Sequence, residues 1–238
     1  VKKIAFLSAG ILGLCCFTFS GFASAQSAQS AQSAYSQRVP LDTINKYVGS
    51  NGSIKEITPI FSQLLLVSVP GNFRSVFENV GNAGTFYIQE SVPAGESKSQ
   101  WTQMITQTGG KGLASKINIT PQFVAFDLAK RFHSVCPTSF SSLNLGEVQL
   151  SGVYAYAMVS SCGTVTEAGA SHSESTLIVE IKGSNDYYGL QWAIRGPASA
   201  QPIALDEATW RGRLQHLQPI KLCPIVPGEQ MPYPSCTG

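Results

Sequence analysis

Ser175-Thr-Leu-Ile-Val-Glu-Ile-Lys182, Gly183-Ser-Asn-Asp186 and Tyr187-Tyr-Gly-Leu-Gln-Trp-Ala-Ile194 follow one another without a gap. The first and third runs are rich in β-branched and aromatic residues, which favour strands. The middle four are turn formers of the kind that close a hairpin. In the third run Tyr188, Leu190, Trp192 and Ile194 recur at every second position, so they share one face. Strands joined this tightly run antiparallel, because parallel neighbours need a long crossover.

The same reading extends outward. A strand is predicted over 152–160, before this hairpin. Ahead of it lies the clearest helix, with Thr120 as N-cap and Pro121 in the first turn, where its missing N–H costs nothing. Val124, Leu128, Phe132 and Val135 recur at three- and four-residue steps and predict its buried stripe, ending at Cys136-Pro137. Further back, 61–69 reads as a buried strand stopped by Pro70-Gly71. Residues 84–90 alternate, with Phe86 and Ile88 on one face. Val92-Pro93-Ala94-Gly95 reads as a turn. Ser97-x-x-Gln100 resembles a capping box, and a helical turn carrying Trp101 is expected after it. Residues 104–108 predict another strand. A short helix is expected at 41–48 and a last one at 206–217, with Trp210, Leu214 and Leu217 in register. Strands in successive hairpins, not in βαβ alternation, predict an α+β fold: an antiparallel β-sheet with helices packed on one face.

The amino terminus has a different character. Lys2-Lys3 precedes an apolar run from Ile4 to Phe22, closed by Ala23-Ser24-Ala25. That is the three-part layout of a Sec-type signal peptide, so 1–25 is read as the signal with cleavage before Gln26. Val1 is read as a literally translated GTG start, hence a bacterial gene. An uncleaved anchor is the rival, but Gly10, Gly13, Ser20 and Gly21 dilute the run. A lipobox would want a small residue before its cysteine, and Leu14 precedes Cys15. Residues 26–34 repeat Gln-Ser-Ala, and 26–38 is expected to be a disordered linker. Residues 39–238 are then expected to form a single α+β domain, which suits about 200 residues. The protein is expected in the periplasm or secreted, with no stable membrane insertion after cleavage.

Loss of Lys2 and Lys3 leaves 14 basic residues against 14 acidic ones. A balanced chain argues against nucleic acid, whose binding rests on many Lys/Arg–phosphate contacts. Four cysteines remain: Cys136, Cys162, Cys223 and Cys236. An even count in an exported protein reads as two disulfides, and four cysteines allow three pairings. Cys136–Cys162 with Cys223–Cys236 is favoured, the second closing a Pro/Gly-rich C-terminal loop. Zinc would ask for a C-x₂-C or His-x₃-His pair, and neither occurs. No metal or other cofactor is expected.

Two resemblances follow from motifs. Glu90-Ser-Val-Pro-Ala-Gly-Glu96 and then Trp101-Thr-Gln-Met-Ile-Thr106, with Cys136-Pro137 and Cys162 later, resembles a family of uncharacterised proteobacterial periplasmic proteins. The likeness covers most of residues 60–223 and implies no established activity. Val69-Pro70-Gly71-Asn72-Phe73 followed by hairpins and a helix is similar to the Mog1/PsbP-like fold, which implies a binding or accessory role more often than an enzymatic one.

Catalytic chemistry is not marked. There is no Gly-x-Ser-x-Gly and no Ser-x-x-Lys. His133 reads as a half-exposed helix residue, His216 as a cation suited to a helix end, and His172 as a surface histidine in a flexible connector, 168–174. Glu90, Glu96, Glu174 and Glu180 are the carboxylates that could pair as in a glycosidase. Glu90 is expected to bond a structural partner. Trp101 and Trp192 read as core, and Trp101 is expected to pin the 92–108 segment to the sheet. Tyr154 and Tyr156 lie opposite Ala155 and Ala157, on a second buried face or a partner surface. No catalytic residue is assigned. The function expected is that of an exported, non-enzymatic binding or accessory protein for an unknown small ligand or envelope protein. The alternatives are a component of an envelope assembly or secretion apparatus, or a small envelope hydrolase.

Overall fold

The computed structural model describes residues 52–237 apart from Ala168. The signal peptide read at 1–25, the linker at 26–38 and the helix at 41–48 lie outside the described residues.

The elements run β1 (Ser53–Ile60), β2 (Gln63–Pro70), β3 (Phe73–Gly81), β4 (Phe86–Pro93), β5 (Gln103–Gly110), α1 (Pro121–Val135), β6 (Phe140–Leu150), β7 (Val153–Glu167), β8 (Ala170–Lys182), β9 (Tyr187–Pro197), α2 (Glu207–His216), β10 (Lys221–Pro224) and α3 (Pro234–Thr237). Seven strands form one sheet in the order β3-β4-β5-β9-β8-β7-β6, and β1-β2-β10 form a second. Every pairing is antiparallel. The expected antiparallel α+β architecture holds in that form, and the β8–β9 hairpin pairs Lys182 with Tyr187 across its turn.

The placement of helices on one face does not hold. Ala125, Ala129 and Phe132 of α1 pack on Tyr156, Met158 and Ile178. Trp210 and Leu214 of α2 pack with Ala155, Ala157, Leu177, Val179, Leu190 and Trp192. Even- and odd-numbered residues of one strand point to opposite faces, so the two helices sandwich the large sheet between them. The physical cause is connectivity: α1 links β5 in the sheet's middle to β6 at its edge, crossing one face. The small sheet then fills the other face beside α2, through Ile60, Leu65, Val67 and Val69.

Local chemistry explains the elements. Thr120 Oγ1 accepts from Phe123 N at 3.0 Å, capping α1 as its sequence predicts. Its buried stripe, however, is centred on Pro121, Ala125, Ala129 and Phe132, with Val124 and Leu128 only half-buried. Small alanines let the helix settle close to the sheet, which turns Phe123 and Phe126 toward solvent. β2 is buried on both faces. Leu64 and Leu66 on its outer side are covered by Cys223, Cys236, Ile57 and Tyr233. Asp186, in the β8–β9 turn, accepts from Ser62 N at 3.0 Å and Gly112 N at 2.7 Å. It ties three loops at one end of the sheet; burial opposes its charge, but these donors hold its carboxyl below the usual value.

Both favoured disulfides form, Cys136–Cys162 with Cα atoms 5.7 Å apart and Cys223–Cys236 at 5.5 Å. The first fastens the end of α1 to β7, and the second holds the C-terminal segment over the small sheet. Replacing Cys136 and Cys162 by serine is expected to lower stability by about 2–5 kcal/mol. Urea midpoints of the oxidised parent and the double variant check this; equal midpoints would remove the bond's role in stability.

Candidate functional site

The segment from Glu90 to Thr106 bonds to itself. Gly95 takes φ +92°, a left-handed turn. Glu96 then accepts from Thr102 N at 2.6 Å and Thr102 Oγ1 at 2.7 Å. The capping-box expectation is half right. Ser97 Oγ accepts from Gln100 N at 3.2 Å, yet Ser97 and Gln100 also exchange backbone hydrogen bonds, which closes a loop and starts no helix. Pro93 ends β4 and opens the expected turn, its carbonyl accepting from Glu96 N at 3.0 Å. Trp101 is 9% exposed and packs with Val92, Met104 and Ala193. The motif's Glu, Trp and Thr are thus occupied in shaping the loop.

Arg195 lies over the Trp101 ring, 3.7 Å from its centroid. Its guanidinium reaches Glu167 at 2.8 Å and Glu174 at 3.6 Å. His172 stands 3.8 Å from the same Glu174 oxygen. His172 is therefore no surface-loop residue: β8 starts at Ala170, and His172 pairs in register with Val165 and Pro197. The Ser/Gly-rich stretch has weak strand propensity, and pairing with two long neighbours overrides it. His133 is exposed and edges against Phe140.

The four carboxylates do not converge. Glu90 is buried with Lys98 Nζ at 3.6 Å as its partner; burial pushes its carboxyl up and Lys98 draws it back. Glu180 is buried without any ion pair among the described residues, and burial pushes its carboxyl up to about 8. It lies against Gly189, where a Cβ would stand 3.0 Å from Glu180 Oε1 and 2.4 Å from Thr108 Oγ1. Glu90 and Glu180 sit on β4 and β8 with β5 and β9 between, three strand spacings or roughly 14 Å apart. Glu174 and Glu180 are six residues apart on one strand, roughly 20 Å. A glycosidase needs its two carboxyls within about 5–9.5 Å. Tyr156 is buried under α1 against Phe126, which makes its side a covered face; Tyr154 hydrogen-bonds Glu147 at 3.0 Å. Among the described residues no group of three or more His, Cys, Asp or Glu is placed to hold a metal ion, and no helix is long and apolar enough to cross a membrane.

A cleft of roughly 670 Å³ opens on the other side of the sheet. Its walls are α2, the start of β5, the middle of β9 and the β2–β3 turn. α2 is capped by Asp206, which accepts from Thr209 N at 2.7 Å and Thr209 Oγ1 at 2.6 Å. Gly212 and Arg213 lie three and four residues after Thr209, and His216 four and three after them, so one helix face looks into the cleft. Arg213 lies 4.8 Å from the Trp192 ring centroid and 5.6 Å from that of Trp210. Trp192 Nε1 donates to Gln103 Oε1 at 3.0 Å, and Phe73 meets Trp192 edge-on. Burial lowers the guanidinium's pKa from the usual arginine value. Trp192 is core on one side and cleft wall on the other. Arg213 and Gln103 had not been singled out from the sequence. Trp210-Arg-Gly-Arg213 carried a usable signal, since an arginine three residues after a core tryptophan shares its helix face.

No family model matches the sequence, and no curated protein does. Among solved structures, LpqN of Mycobacterium tuberculosis, described as involved in cell envelope biogenesis, overlaps 76% of this chain and 97% of its own, with 14% identity and a TM-score of 0.35. A protein of Bacteroides thetaiotaomicron VPI-5482 overlaps 71% of this chain and 47% of its own, with the same identity and TM-score. Overlap of that extent transfers no role to this chain.

Proposed function

We propose that this is an exported, non-enzymatic binding or accessory protein of the bacterial envelope, and that it takes a small ligand in the Arg213 cleft. The cleft carries the reading. Its volume falls in the ~300–1,000 Å³ range of ligand sites, with an aromatic wall and a few convergent polar groups as such sites have. An enzyme would instead bring a nucleophile, a base and an orienting group within reach of one another; the four candidate carboxylates are dispersed, and His172 meets Glu174 in an ion-pair cluster closed by Arg195 and Glu167. Two disulfides suit an oxidising compartment outside the cytoplasm, in keeping with the leader read at 1–25. Kinship with the uncharacterised periplasmic family belongs to the same proposal.

A second reading, a component of an envelope assembly, draws on β3. Among the described residues that strand pairs only with β4, and Val76 and Val80 on it are 37% and 57% exposed. An open strand edge is a template for pairing with another chain.

Gly212 provides the test. It lies inside α2 and lines the cleft, and a Cβ added there meets nothing within 4 Å. Gly212→Ala is expected to stabilise the protein by about 0.5–1 kcal/mol, read from urea midpoints. Gly212→Phe is expected to fold equally well and to fill the cleft. Native mass spectrometry of protein drawn from the periplasm should show a small-molecule adduct on the parent that is missing from Gly212→Phe. An adduct retained in full by the folded variant would move the ligand site elsewhere.

A further inference from the structure

The arginines of this protein differ in what neutralises them. Arg131, Arg195 and Arg211 each reach a carboxylate, at 2.6, 2.8 and 2.7 Å. Arg213 reaches none among the described residues. Its Nη1 has only a 3.4 Å contact with Gln103 Oε1, an oxygen that already accepts from Trp192. Its Nε is buried with no hydrogen-bond partner. A half-buried cation lacking a counter-charge is destabilising unless its donors are met, and the open side from which they can be met is the cleft. Among the described residues that line the cleft none is acidic, while His216 adds a second nitrogen-bearing side chain beside Arg213. Both carboxylates at the start of the helix are engaged, Asp206 by Thr209 and Glu207 by Arg211. Beside this polar pole stand apolar surfaces: the Trp192 indole, Pro70 and Ala208.

We propose that the cleft selects an organic anion, with its acid group on the Arg213 guanidinium and its apolar body against Trp192 and Pro70. This deepens the binding-protein reading and rests on it. The planar guanidinium offers paired N–H donors to an acid group, and the two indoles hold its plane in place.

Two dyes with one ring skeleton make the test: 8-anilinonaphthalene-1-sulfonate and N-phenyl-1-naphthylamine, which lacks the sulfonate. Both are titrated into the intact mature protein and followed by dye emission. The sulfonate dye is expected to bind at least ten-fold more tightly, about 1.4 kcal/mol. Arg213→Gln should bring it down to the affinity of the neutral dye, and Gly212→Phe should remove both. Equal affinities in the parent, or a sulfonate preference that survives Arg213→Gln, would overturn the anion assignment while leaving a cleft that Gly212→Phe closes. If Gly212→Phe spares both dyes, the cleft reading falls as well. Should Arg213→Gln not fold, salt decides with the parent alone. A sulfonate preference unchanged between about 0.05 and 0.5 M NaCl is not ionic, and would overturn the proposal.

Discussion

Trp101→Ala is expected to cost about 3–5 kcal/mol, the range for truncating a buried tryptophan and a large share of a typical domain's ~5–15 kcal/mol. Trp101 is a large ring between the self-bonded 94–102 loop and the sheet, and it fills the space over Val92, Met104 and Ala193. It also roofs Arg195, whose charge is balanced by Glu167 and Glu174 beneath it. Removing the ring opens a cavity and lets water reach that cluster. Glu96 would still bond Thr102, so the loop should keep its shape while losing its seat. Urea titration of the variant reads the loss. A midpoint within error of the parent would mean the ring contributes no anchoring, and would make the loop a surface platform.

Glu180 should give the protein a stability that falls as the pH rises. An unfolded glutamate titrates near 4.5, whereas burial raises Glu180 to about 8 in the fold. Below pH 4.5 both states hold the proton and the folded form bears no penalty. Between 4.5 and 8 the unfolded chain releases its proton and the folded chain keeps it, so stability drops by about 1.4 kcal/mol per pH unit. Above 8 the penalty levels off. Thr108, Gly189 and Tyr187 surround the carboxyl and none is a cation; burial, with Glu180 as a second cause, pushes Tyr187 itself up to about 12. Glu180→Gln, neutral at every pH, is therefore expected to be more stable than the parent at pH 8 by on the order of 3–5 kcal/mol, and level with it at pH 4.5. Urea midpoints of both proteins across that range check the slope. Parallel curves would show that Glu180 does not hold its proton in the fold.

Local signals carried much of the architecture. Tyr188, Leu190, Trp192 and Ile194 alternate without interruption, and they line the core as that alternation requires. Thr120-Pro121 and Asp206 start their helices because a cap is a bond between near neighbours. The cysteine count implied two disulfides with three pairings open, and the favoured one forms. Four strands left no such trace, among them the four-residue β10, too short to alternate and held by its pairing with β2. In β6, Leu143 and Leu145 face the core, and then Val148 and Leu150 do, because a bulge between Asn144 and Gly146 shifts the phase by one residue. β3 is an edge strand exposed over most of its length, so it has no alternation to read. β1 has few large apolar residues and acquires its state from pairing along β2.

What tertiary structure decided was which distant residues meet. Whether α1 and α2 share a face depends on where each chain crossing lands, and no helical period encodes that. His172 became a strand residue beside Glu174 because β7 and β9 flank it, overriding a stretch whose own composition suits a connector. Arg213 acquires its character from Gln103 and Trp192, which lie 110 and 21 residues away in the chain. Sequence by itself determined periodicity and caps, because these rest on the order of near neighbours, and the cysteine content, which is composition alone. The site was decided by the fold, because desolvation and the lack of a counter-charge are properties of a place in space, not of a residue type.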